Sequence, residues 1–148
     1  MPLKLKLKPR EKVLIAGAMI INGDTPAQIF IENKVPLLRQ KDILVESEAK
    51  SVCSQIYFVI QLMYFAPDNL RDLHKLYWKH VRKLLAASPS AINLISQISE
   101  FILVEKYYDA LKLTKKLIQY EKELIENAKK SAESLRESEK ADHLRAGN

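Results

Sequence analysis

From Leu3 to Lys8 leucine alternates with lysine, and that repeat constrains the fold more than any other stretch of the chain. A period of two belongs to an extended backbone: Leu3, Leu5 and Leu7 fall on one face and Lys4, Lys6 and Lys8 on the other. One face of this strand needs a core, and the other needs water or an anion.

The residues that follow keep to short strands. Pro9 and Arg10 end the first, Val13 to Ala16 forms a second run, and Met19 to Ile21 a third. Asn22-Gly23-Asp24 tolerates positive φ and is expected to be the hairpin turn. Gln28 to Glu32 has the β-branched and aromatic content of another strand, and Asn33-Lys34 can turn the chain into Val35 to Leu38. Pro36 cannot donate to a ladder, which places that last strand at an edge. Residues 1–45 are therefore expected to form a small antiparallel β-sheet or open barrel.

From Ser47 the apolar spacing changes to three and four. Ser47 is the expected N-cap of a helix through Phe65, apolar on nearly every side (Val52, Ile56, Phe58, Val59, Ile60, Leu62, Met63) and so destined for a central or interfacial position. Pro67 stops it, and Asp68 is expected to cap a second helix with Leu70, Leu73, Tyr77, Val81 and Leu84 on one side. Ser88-Pro89 restarts the chain as N-cap and first helical residue. A third helix carries Ile92, Ile95, Ile98 and Ile102 on one face. Around Val104 to Lys106 it bends or runs on into a fourth segment with Tyr108, Leu111, Leu117, Tyr120 and Leu124. From Asn127 apolar residues nearly vanish, as in a solvated helical extension or a disordered tail. The expected class is α+β: a basic β subdomain over 1–45, a bundle of three to four helices over 46–126, and a polar stretch over 127–148.

Charge follows the same division. Residues 1–45 hold eight basic and four acidic side chains, whereas the other 103 hold 16 and 14. The excess of +4 on the strands points to a polyanion as partner. A chain of 148 residues buries roughly 68–70% of its unfolded surface, enough for a core without crosslinks. A single cysteine, Cys53, suits a reducing compartment, and no apolar run reaches the roughly 20 residues of a membrane span. A cytoplasmic protein with neither signal peptide nor membrane segment is expected.

Little supports catalysis. His74 and His80 stand six apart, off the three-or-four spacing at which two imidazoles share a metal, and His143 lies in the polar stretch. Cys53 has no histidine near it in sequence and sits in an apolar helix, where a thiol stays protonated. Asp42, Glu46 and Glu48 read as carboxylates facing the positive end of the first helix. Gly17, Gly23 and Gly147 are isolated, so no phosphate loop forms. Aromatics such as Tyr64, Phe65, Tyr107 and Tyr108 fall at helical spacing and read as core. Neither catalytic residues, metal, cofactor nor a small-molecule substrate is expected.

The lysine strand is different. Lys4, Lys6 and Lys8 lie about 7 Å apart on one face, a spacing suited to successive phosphates of a single strand. Arg10, Lys12, Arg39 and Lys41 could extend the patch. Lysines also protect edge strands from aggregation, and both readings stand.

Four blocks, MPLKLKLKPREKVLIAGAMIINGD, VPLLRQKDIL, QIYFVIQLMYF and EKYYDALKLTKKLIQYE, resemble in order the FlbT family over residues 1–125. That resemblance implies a cytoplasmic, non-enzymatic, post-transcriptional regulator of flagellin synthesis. It implies action on the 5′ untranslated region of flagellin mRNA that represses translation or shortens the message's lifetime, although some relatives activate. FlaF, a second small flagellin regulator, is the implied protein partner. A flagellin chaperone or adaptor acting with FlaF is the alternative, and a homodimer is a further expectation. The segment from LKLKPREKVLIAG to Leu37, Leu38, Arg39, Asp42 and Ile43 is also similar to the carbon storage regulator family, whose small β-sheet dimers bind RNA. This likeness nominates Leu3, Lys4, Lys6, Arg10 and Arg39, although the spacing after Arg39 is one residue longer. With Lys8, Lys12 and Lys41, these are the expected RNA-binding residues.

Overall fold

The computed structural model describes residues 2–146. Five strands, β1 (Leu3–Leu7), β2 (Lys12–Ile15), β3 (Ala18–Ile21), β4 (Ala27–Ile31) and β5 (Leu37–Arg39), precede four helices, α1 (Val52–Phe65), α2 (Leu70–Ala87), α3 (Ile92–Leu103) and α4 (Tyr107–Ala146). The expected α+β class holds. The strands form two small antiparallel sheets, however, rather than one sheet or a barrel: β1 pairs with β4, and β2 lies between β3 and β5.

Leu5 and Leu7 are buried and Lys4 and Lys6 exposed, as the period of two requires. Leu5, Leu7 and Val13 make a small core against Ile15, Ile29, Ile31 and Leu37. The hairpin is not at Asn22-Gly23-Asp24. It joins β2 to β3 at Ala16-Gly17, where φ is 50° and 91° and Ile15 pairs with Ala18. Two successive positive φ values are what a two-residue hairpin needs to match strand twist. Asn22 instead ties the sheets together: its Nδ2 donates to the carbonyls of Lys8 (2.8 Å) and Thr25 (3.0 Å). β5 is an edge strand, as Pro36 required.

Ser47 does not cap α1. Residues 46–48 form a short 3₁₀ turn, and the cap is Ser51, whose Oγ accepts from Ser54 N at 3.1 Å while Ser54 Oγ accepts from Ser51 N at 2.9 Å. This reciprocal pair satisfies two donors that the first helical turn leaves open. Glu46 and Glu48 therefore precede the helix rather than face its end, and Asp42 pairs with Lys115 of α4. Asp68 likewise lies inside a 3₁₀ turn, and α2 begins after Asn69 with no side-chain cap.

α1 is the centre of the helical layer, with Ile56, Ile60 and Cys53 at 0% exposure. Leu73, Tyr77, Val81 and Leu84 of α2 and Ala110, Leu111 and Leu117 of α4 pack against it, and Ile95, Ile98 and Ile102 of α3 join the same core through α4. Each fully buried Leu or Ile contributes about 1.5–3 kcal/mol. Ile92, expected on the buried face of α3, is 47% exposed as the first residue of that helix. Leu38 of β5 belongs to this core, and Tyr64 Oη of α1 accepts from Leu37 N at 3.3 Å. Gln61 binds both the N–H and the C=O of Leu44 at 2.9 Å, acting as a strand-like partner for the connecting chain.

Of the two alternatives at Val104 to Lys106, the helix breaks. Lys106 N donates to Phe101 O and Glu105 N to Ile102 O, with Glu105 at φ 59°, the hydrogen bonds of a Schellman cap. α4 then runs 40 residues, about 60 Å. Asn127 to Ala146 is thus a helical extension, built from good helix formers with no proline or glycine before Gly147, and its described side chains are all exposed.

Candidate nucleic-acid interface

The basic strand keeps its lysines outward because the register of β1 and β4 puts its leucines inward. Lys4 stands opposite Phe30 and Lys6 opposite Gln28, while Leu5 faces Ile29 on the buried side. Directly opposed residues share a face with Cβ atoms about 5 Å apart. Lys4, Lys6, Gln28 and Phe30 thus form one exposed surface, whereas Leu3, opposite Ile31 and 50% exposed, is at the end of the other face with Leu5 and Leu7.

β1 leaves this ribbon through Lys8-Pro9-Arg10-Glu11, closed by Glu11 N donating to Lys8 O at 3.1 Å. Pro9 fixes φ for the first central position, and Arg10 takes the second at φ 62°. Arg10 N donates to Gly23 O, and the Arg10 guanidinium reaches Asp24 at 2.6 Å in a fully solvated pair.

Glu11 organises the rest. Its carboxylate accepts from Lys8 N at 3.0 Å and from Arg39 Nε and Nη2 at 3.2 and 2.9 Å. These hydrogen bonds, the Lys8 backbone first and Arg39 second, hold its pKa below the ordinary glutamate range. Arg39 Nη2 also donates to Lys6 O, so one guanidinium joins β5, β1 and the turn between β1 and β2. Gln40 Oε1 accepts from Lys12 N at 2.8 Å.

Lys8, Arg10, Arg39 and Lys41, with Pro9, Glu11 and Gln40, line one open concavity of about 700 Å³. Four of the eight residues expected from sequence converge there. Lys4 and Lys6 stand on the adjoining ribbon, Leu3 at its end, and Lys12 is exposed on β2. Lys4, Lys6, Lys8, Lys12 and Lys41 make no ion pair among the described residues, whereas Arg10 and Arg39 do. Phe30 and Glu11 were not singled out by sequence, and Asn22 was read only as a turn residue. Phe30 could have been suspected from the aromatic in its strand; the pairing that sets it beside Lys4 could not.

Cys53, Tyr57 and His80, whose pKa values are shifted, lie on the helices away from this surface. Cys53 is buried, and burial followed by the charge of Glu121 raises its thiol pKa far out of the nucleophilic range. Tyr57 is raised in the same way by burial and Asp42. His80 is lowered by burial and then by Lys83 and Lys79, and its Nδ1 has no partner among the described residues. Among those residues no three of His, Cys, Asp and Glu converge as a metal would require. Among the described residues no helix is long and apolar enough to cross a membrane.

What fold and site define is a small α+β protein whose charged apparatus is a cationic β surface. The model of the family described as "Flagellar protein FlbT" matches residues 3–125. The chain belongs to that family. It is 38% identical over 125 residues to the probable flagellum biosynthesis repressor protein FlbT 1 of Bradyrhizobium diazoefficiens, covering 84% of this chain and 85% of the relative. It is 34% identical to the probable flagellum biosynthesis repressor protein FlbT of Caulobacter sp. strain K31, covering 82% and 94%. With the flagellum biosynthesis repressor protein FlbT of Caulobacter vibrioides, strain ATCC 19089, identity is 33% over 84% and 90%. No solved structure matches.

Proposed function

We propose that this chain is a cytoplasmic, non-enzymatic repressor of flagellum biosynthesis that binds the 5′ untranslated region of flagellin mRNA and lowers its translation or lifetime. The observation that carries the reading is the set of free lysines on the β surface: Lys4, Lys6, Lys8, Lys12 and Lys41 have no carboxylate partner among the described residues, although acidic side chains lie within the same 45 residues. A regulator of this kind needs cations for phosphates and an accessible surface for unpaired bases, and no reactive group. The relatives' names supply the flagellar direction. In this reading residues 1–45 hold the RNA, 46–126 hold the fold and partners, and 127–148 extend beyond both.

The test is a gel-shift titration of purified protein against a synthetic flagellin leader and an unrelated RNA of equal length. Preferential, salt-dependent retention of the leader is expected; no retention of either RNA refutes the proposal.

A second reading, an adaptor or chaperone acting with FlaF or flagellin, is favoured by an apolar groove of about 280 Å³ between the start of α1, the end of α2 and α4. Val52, Leu84, Leu117, Leu124 and Ile125 line it, and Leu124 and Ile125 are 39% and 49% exposed. Retention of purified FlaF or flagellin after nuclease treatment would support it, and loss of both after nuclease would refute it.

A further inference from the structure

Phe30 is 60% exposed in the middle of a regular strand. β4 had an inward position for an aromatic: Ile29 and Ile31, its neighbours, pack into the small core. The ring instead stands on the outer face with Lys4 directly across the ladder, and Lys6 and Gln28 form the next pair.

We propose that Phe30 is a base-stacking platform for single-stranded RNA, with Lys4 and Lys6 holding the flanking phosphates and the Gln28 amide within reach of a base edge. The inference rests on the RNA-binding reading and adds the residue and the kind of contact.

Three features of the face fit that ligand. A phenyl ring exposed on a two-stranded ribbon offers its surface to a planar base, a contact that any of the four bases can make. Lys4 and Lys6 are about 7 Å apart along β1, so one base can lie over the ring while the phosphates on either side meet separate ammonium groups. The alternative occupant, a protein surface, is disfavoured by the same neighbours, since the centre of a protein interface is depleted in lysine and this aromatic has one directly beside it. Gln28 supplies both a donor and an acceptor, which can discriminate among bases where the ring cannot.

The experiment measures binding of full-length protein to a fluorescent single-stranded leader segment and to the same segment carrying abasic sites, for Phe30→Ala, Phe30→Tyr and the Lys4→Ala/Lys6→Ala pair. Phe30→Ala should weaken binding by roughly 5- to 150-fold with the salt slope unchanged, the range of one lost base stack. Phe30→Tyr should bind like the original chain. Lys4→Ala/Lys6→Ala should flatten the slope. On abasic RNA, Phe30→Ala and the original protein should bind alike. The ring is exposed, so the variants keep their melting temperature. If Phe30→Ala binds the intact segment as the original does, or loses as much on abasic RNA, the platform is refuted while RNA binding stands. If the original protein binds no RNA, both fall. If Phe30→Ala instead breaks a dimer in sedimentation without changing RNA affinity, the face belongs to protein contact and the platform is refuted.

Discussion

The ionic strength dependence of RNA binding can be worked from the ion pairs. Five lysines, Lys4, Lys6, Lys8, Lys12 and Lys41, carry no internal partner among the described residues, and the Arg10–Asp24 pair is so solvated that a phosphate can replace the carboxylate at little loss. Each phosphate neutralised on a single strand releases counterions worth a slope of about −0.7 in log K against log salt. Five to six contacts give about −3.5 to −4, so raising KCl fourfold should weaken binding by roughly two to two and a half orders of magnitude. Lys4→Ala/Lys6→Ala should bring the slope to about −2 to −3. Fluorescence polarisation with a labelled leader over that KCl range reads both slopes. A shallow slope in the original protein, or an unchanged slope in the double variant, would show that these lysines do not meet phosphate and that they serve only to keep the strand edge soluble.

Three further outcomes concern the fold. Ile60→Ala, at a position with no exposed surface in the middle of α1, should lower stability by about 2–5 kcal/mol in urea unfolding, and a loss under about 1 kcal/mol would mean that the helices do not pack around α1 as described. Glu105→Gly should raise stability by up to about 1 kcal/mol, because a left-handed residue with a Cβ is strained at φ 59°; a decrease would contradict the cap. Glu11 has a lowered pKa when folded, so the unfolded chain takes up its proton first; the stabilising contribution is complete above about pH 4.5 and disappears as pH falls through the lower folded value. Glu11→Gln should flatten stability against pH in that acid window, and an unaltered profile would rule out the Arg39 pairing.

Periodicity carried most of what could be read from the chain. The Leu-Lys alternation gave β1 its faces, and the three-and-four spacing found the buried sides of α2 and α3 because those faces are set locally, by side chains a turn apart; on α4 it found Leu111 and Leu117, whereas Tyr108 and Leu124, read with them, are 40% and 39% exposed. Caps and turns were displaced where tertiary demands outweighed local preference. Asn22-Gly23 has the chemistry of a hairpin, yet the Asn22 amide is used to hold Lys8 and Thr25 carbonyls, and the less obvious Ala16-Gly17 makes the turn. Ser47 and Ser51 look alike in sequence; only Ser51 is followed three residues later by a serine able to return the hydrogen bond. The pairing of β1 with β4 joins residues 20 to 28 positions apart, and nothing local specifies it. Phe30 was therefore visible as a residue but not as part of a site.

Arg39 illustrates why charge in a sequence is not the same as charge available to a ligand. It has the right type and the right neighbourhood for a phosphate contact, and it lines the basic concavity with Lys8, Arg10 and Lys41. Folded, its guanidinium spends two nitrogens on Glu11 and one of these also on the carbonyl of Lys6. Being planar and forked, arginine can make both contacts at once where lysine would make one. Glu11 in turn fixes the Lys8 N–H, so the arginine and the glutamate together set the direction in which β1 enters its turn. Their net charge cancels, and what they contribute is position: β1 is held with Lys4 and Lys6 on its free face. An Arg39 substitution would thus disturb the lysines as well as remove a charge. For that reason the lysines, which can be truncated without unpairing a carboxylate, are the cleaner probes of RNA contact, and the loss of binding in an Arg39 variant would not by itself place that residue on the RNA.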